Sequence, residues 1–186
     1  KIGLTTILRK EHNYVSDWLK YHLAMGFDRI IIYDNEEDPT YANLIRQEGL
    51  DCCVLEADYR APLKREDQLD RSARTKIIVK HLPNRLLAKK EKQHEVALED
   101  FRVHHMLVDN FTHVAHFDID EYLQLNKHDN VRDFVKEYLT DEHGILDNKC
   151  GAITMNWIMM GDNDLKQFSP EPVPIRFTCG GARIHH

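Results

Sequence analysis

A chain of 186 residues has room for one domain of ordinary size with a substantial core around a central sheet. Its 42% hydrophobic and 30% charged residues are the balance of a soluble globular protein, and no apolar run approaches the roughly 18 residues of a membrane helix. A formal net charge of -6 argues against an obligate nucleic-acid binder, which carries a basic excess.

Residues 2–8 (IGLTTIL) are apolar and β-rich without helical period, and they read as a buried strand ending in the charged cluster Arg9, Lys10, Glu11, His12 and Asn13. From 14 to 25 the positions Val15, Trp18, Leu19, His22, Leu23 and Met25 recur at helical spacing, with Asn13 as cap and Gly26 as stop. Residues 29–33 form a second apolar run that ends at Asp34 and Asn35. Strand, helix and strand of these lengths predict a βαβ unit with parallel strands and a right-handed crossover. A helix over 41–47, stopped by Gly49, and a third strand over 52–55 follow. The expected fold is therefore α/β, an open sheet of the nucleotide-binding kind whose ligands sit beyond the carboxyl ends of its strands. Such a sheet lines Arg9, Glu11, Asp34, Asn35 and Asp38 around one crevice, although each taken singly reads first as a polar loop residue.

Residues 59–92 are rich in charge, with Lys64, Arg65, Arg71, Arg74, Lys76, Arg85, Lys89, Lys90 and Lys92, and are broken by Pro62 and Pro83. They read as solvated faces of short helices and loops, a few of which reach towards a diphosphate. A long amphipathic helix over 93–108 then delivers the chain to a strand over 114–117. A helix is expected over 131–139 and a strand over 152–160 (AITMNWIMM), closed by Gly161, Asp162, Asn163 and Asp164. The cysteines Cys52, Cys53, Cys150 and Cys179 contain no C-x-x-C pair, which argues against structural zinc and for reduced thiols.

The most informative stretch is 111–125, FTHVAHFDIDEYLQL, where an apolar run breaks into Asp118, Asp120 and Glu121. In extended backbone, side chains two apart share a face, so Asp118 and Asp120 would point at one spot while Ile119 turns inwards. Two carboxylates at one spot repel unless a positive charge lies between them. Mg²⁺ and Mn²⁺ take oxygen ligands, and Mg²⁺ is commonly held by one or two carboxylates plus phosphate oxygens. The competing reading is a helix cap or a solvated turn at Asp120 and Glu121.

The ordered set of features resembles a known family. ILRKEHNYVSDWLKYHLAMGFDRIIIYDN, with Glu11, Trp18, His22, Tyr33, Asp34 and Asn35, is similar to the opening of family 2-like and family 92-like glycosyltransferases. Gln93 at a helix start, HFDIDEYL at 116–123 and MNWIMMGDN at 155–163 are similar to later segments, so the resemblance spans roughly 4–178. It implies a GT-A fold with a mixed, mainly parallel sheet and helices on both faces. It also implies that the 9–11 loop, Asp34, Asn35, Asp38 and Gln93 approach a nucleotide-sugar donor. By the same resemblance Asp118 and Asp120 hold Mn²⁺ or Mg²⁺ against the diphosphate. A histidine late in the domain, His185 or His186, would supply a third ligand. Asp162 and Asp164 are the candidates for the base that takes the acceptor's proton, with a hydrogen-bonded turn as their other reading. His116 and Trp157 read as structural.

The function expected is transfer of a sugar from a UDP- or GDP-sugar to a hydroxyl of a glycan, protein or small molecule, with inversion. The alternatives are a binding domain that lost its chemistry and a nucleotidyltransferase, the second disfavoured because no glycine follows the first strand to cradle a triphosphate. The chain starts at Lys1 without a methionine and reads as a domain cut from something longer. A cytoplasmic setting is expected, or the Golgi lumen if an anchor was removed.

Overall fold

In the computed structural model the apolar run Ile2–Leu8 forms strand β1 and lies at the heart of a five-stranded sheet. The structure describes residues 1–56, 75–83, 92–106, 110–141, 143, 152–156, 158–161, 163–167 and 169–178. The chain divides into two compact units, Lys1–Tyr138 and Leu139–His186.

The first unit holds helix α1 (Val15–Ala24), strand β2 (Arg29–Asp34), helix α2 (Tyr41–Gln47), strands β3 (Cys52–Glu56) and β4 (Ile77–His81), helix α3 (Gln93–Asp100), strand β5 (His113–His116) and helix α4 (Val131–Tyr138). The strands lie in the order β3-β4-β2-β1-β5, and every described pair is parallel. The architecture is thus the expected α/β, Rossmann-like sheet, and among the described residues its five strands all run parallel. The chain places β2 on one side of β1 and β5 on the other. Strand order therefore reverses between β1 and β5, and crevices open at such reversals, beyond the carboxyl ends of the strands.

Strand β2 is buried along its whole length, as a central strand covered on both faces must be. Ile31 and Tyr33 join Ile78, Leu82, Val96, Ala97, Phe101 and Phe111 in a core beneath α3, while α1 packs on β2 through the other face. Gly3 permits this layer to close, since a Cβ there would stand 3.0 Å from the Phe111 ring. Gly26 (φ +92°) and Gly49 (φ +75°) follow α1 and α2 in the left-handed region, where glycine is unstrained.

Several expectations need correction. The 59–92 stretch contains β4, a central strand, where only loops and short helices were expected. Its β-branched Ile77, Ile78 and Val79 favour a strand, and Lys80 is tolerated there at 0% exposure because Asp100 accepts two hydrogen bonds from its Nζ, at 2.7 and 2.5 Å. Tyr33 donates to the same carboxylate at 2.7 Å. Asn13 does not cap α1; Tyr14 occupies that position with no side-chain cap bond, and its carbonyl takes the first intrahelical bond, from Trp18 N–H at 3.0 Å. The helix expected over 93–108 is α-helical only to Asp100 and continues as a π-helix, Phe101–Met106, a form frequent near functional sites.

In the second unit the described residues of 152–160 form no strand beyond a single bridge at Met160. A strand needs a paired neighbour and a buried face, and Met155, Ile158, Met159 and Met160 are all exposed. One helical turn, α5 (Val173–Arg176), follows Pro172, and Asn163 donates to the Arg176 carbonyl at 2.6 Å and to Thr178 at 3.1 Å. Among the described residues no helix is long and apolar enough to cross a membrane.

Candidate functional site

The carboxyl ends of β1 and β5 are neighbours at the point where strand order reverses. Their ladder continues one step past β5, with Phe117 N–H donating to the Thr5 carbonyl at 3.2 Å, and the chain then leaves the sheet in a tight turn. Glu121 N–H donates to the Asp118 carbonyl at 3.1 Å, and the Glu121 carboxylate accepts from Asp118 N–H at 2.9 Å. This corrects the extended-backbone argument: Asp118 and Asp120 belong to a turn, not to a strand face. The outcome for the side chains is similar, since Ile119 is buried and both aspartates are exposed. Glu121 ties the turn together.

Helix α1 grips this turn through its inward face. The Trp18 indole N–H is shared between the carbonyls of Asp118 (3.1 Å) and Glu121 (2.9 Å), and the Tyr21 hydroxyl donates to the Leu123 carbonyl at 2.7 Å. His22 Nε2 accepts from Leu123 N–H at 3.5 Å while Nδ1 meets the Trp18 carbonyl at 2.9 Å. Burial pushes the His22 pKa down to about 4, so the ring is neutral in the fold. Three side chains spaced along one helix thus hold the backbone of 118–123 and leave both aspartate side chains open.

The loop after β1 faces the turn. Burial, and then the charge of Asp120, raises the Glu11 carboxyl above its ordinary value, with His12 pulling the other way. Glu11 N–H donates to the Tyr41 hydroxyl at 2.8 Å, and Tyr41 donates to Glu36 at 3.3 Å. Glu36 also accepts from Lys10 N–H at 2.5 Å. Lys10 sits at φ +62°, a left-handed strain that a non-glycine residue bears only when its surroundings impose it. Arg9 is exposed beside it.

At the end of β2, Asp34 is buried and its oxygens accept the backbone N–H groups of Glu36 (3.1 Å), Thr40 (2.8 Å) and Tyr41 (3.0 Å), which shapes the loop and starts α2. Asn35 is 1% exposed, and neither atom of its amide has a hydrogen-bond partner. A buried amide without partners is costly, which makes Asn35 a candidate contact for a ligand or water. Asp38 is exposed on the same loop, and Gln93 is half-buried at the start of α3. Beside it, exposed His94 meets exposed His116 of β5, with ring centroids 6.4 Å apart at 81°. His116, expected as structural, therefore stands at the mouth of the crevice; partial desolvation lowers its pKa while Asp118 raises it.

Comparison with family models, curated proteins and solved structures returns no match for this chain.

Asp164 lies in the second unit with Asn163, both in the left-handed region at φ +60° and +53°. Asp162, Trp157, His185 and His186 lie outside the described residues. Among the described residues no three His, Cys, Asp or Glu side chains converge to hold a metal unaided. The donor chemistry of Asp118 and Asp120 nevertheless fits Mg²⁺ or Mn²⁺: both are exposed oxygen donors, no described residue hydrogen-bonds to either carboxylate, and Asp120 adds to a like charge at Glu11. Sequence reasoning missed His94, and the only signal was its place beside Gln93.

Proposed function

We propose that this chain is a metal-dependent glycosyltransferase domain of GT-A type that moves a sugar from a UDP- or GDP-sugar to a hydroxyl of a glycan, protein or small-molecule acceptor. The observation that carries the reading is the exposed Asp118–Asp120 turn at the reversal point of a parallel sheet, held by α1 and facing Glu11. Asp118 and Asp120 would hold Mn²⁺ or Mg²⁺. A divalent cation there supplies Lewis-acid stabilisation of the charge that develops on the diphosphate leaving group.

The remaining roles belong to the chain itself. Trp18, Tyr21 and His22 keep the carboxylate turn in one geometry, so that alignment costs nothing at the moment of reaction. The orphan amide of Asn35 offers one donor and one acceptor face, which suits the edge of a nucleobase. Asp34 holds the loop that carries Asn35 and Asp38, and Gln93 and Arg9 offer polar contacts to the donor. As the acceptor oxygen bonds to the sugar carbon, the bond to the diphosphate breaks and the hydroxyl proton passes to a base.

Calorimetric titration of UDP- and GDP-sugars with and without Mn²⁺, followed by an assay of donor hydrolysis, tests this. The expected result is metal-dependent binding that Asp120→Ala abolishes, with slow hydrolysis by the unaltered chain. Binding that ignores both Mn²⁺ and the substitution would refute the metal role. Tight metal-dependent binding without turnover on any acceptor would leave a binding module in place of an enzyme.

A further inference from the structure

We propose that His94 and His116 form a pair of hydrogen-bond donors for the donor's diphosphate, on the α3 side of the crevice. The inference rests on the glycosyltransferase reading and adds to it two residues that neither the acidic motif nor the resemblance assigned to a ligand.

The pair is built from two elements distant in sequence. His116 is the last residue of β5, two positions before Asp118, and His94 is the second residue of α3. Their rings meet edge to face with centroids 6.4 Å apart. Both residues are exposed, and no described residue hydrogen-bonds to either ring, so their bonding capacity is unspent. An exposed ring contact of this kind adds little to the fold, which leaves the convergence itself to be explained.

Electrostatics says what the pair would serve. Glu11, Asp118, Asp120 and Glu121 crowd one end of the sheet, and a diphosphate approaching them meets like charge. An anion held there needs N–H donors close to the carboxylates. Among the described residues at this mouth the candidates are Arg9 and Lys10 on the β1 side and His94 and His116 on the other. Two donors on one wall and two on the other would bracket the leaving group across the turn that carries Asp118.

The test uses the full chain in saturating Mn²⁺, with UDP, GDP and the free nucleosides uridine and guanosine as probes. His94→Ala and His116→Ala are each expected to weaken binding of the preferred diphosphate about tenfold, the scale of one hydrogen bond to a charged group. Nucleoside affinity, Mn²⁺ affinity and Tm should stay unchanged, and His116→Gln should recover part of the loss. Unchanged diphosphate affinity in both variants would overturn the pair while leaving the glycosyltransferase reading intact. Parallel loss of nucleoside binding, Mn²⁺ binding or Tm would overturn it as well, because the histidines would then act through the fold or the ion. Failure of the unaltered chain to bind either diphosphate would overturn the glycosyltransferase reading itself, and the pair with it.

Discussion

Acidification should weaken this protein in part through a buried residue, His22. The side chain is fully buried, ringed by Trp18, Tyr21, Phe27, Phe117 and Tyr122. It serves the fold as a neutral imidazole, since Nε2 must accept from Leu123 N–H while Nδ1 donates to the Trp18 carbonyl. A proton on Nε2 would set donor against donor and bury a charge among aromatic rings. Its pKa accordingly falls from 6.5 to about 4 in the fold, burial being the largest cause. Between those values the unfolded chain binds the proton and the folded chain does not, so stability rises with pH across the window. The contribution is complete above the unfolded value and is lost as pH falls towards the folded one, about 3 kcal/mol in all and about 2 kcal/mol by pH 5. Urea denaturation of the unaltered chain and of His22→Phe at pH 7.5 and pH 5 measures it. The variant starts less stable, having lost both hydrogen bonds, but should lose about 2 kcal/mol less on acidification. Every other titrating group is common to both proteins, so parallel pH dependences would refute the assignment.

Trp18→Phe keeps the aromatic packing and removes the N–H shared by the Asp118 and Glu121 carbonyls. Stability should fall by about 1–2 kcal/mol, while Mn²⁺ affinity measured by calorimetry drops about tenfold because the turn loosens. Asp100→Ala strips the buried Lys80 ammonium of its carboxylate and should cost about 3–5 kcal/mol in urea denaturation. The double replacement Lys80→Met with Asp100→Leu should cost less, since it buries no unmatched charge, although the Tyr33 hydroxyl loses its acceptor.

What the sequence determined by itself is the local part of the architecture. Continuous apolar, β-rich runs mark β1, β2 and β3, helical spacing marks α1 and α2, and Gly26 and Gly49 mark their ends, because each signal depends on neighbours a few positions away. The crevice was legible to the same extent, since strand ends in a parallel sheet bring Glu11, Asn35 and Asp118 to one edge. Long-range pairing was not legible. The pairing of Lys80 with Asp100, 20 residues away, left no local signal, and β4 was missed among the charges of 59–92. Tertiary structure alone decided that Trp18, about 100 residues before the acidic turn, is what holds it in place. It likewise decided that Asp34 serves backbone amides while Asn35 beside it has no partner. A side chain's hydrogen bonds depend on which segments the fold brings within 3 Å or so, and local pattern carries no record of that.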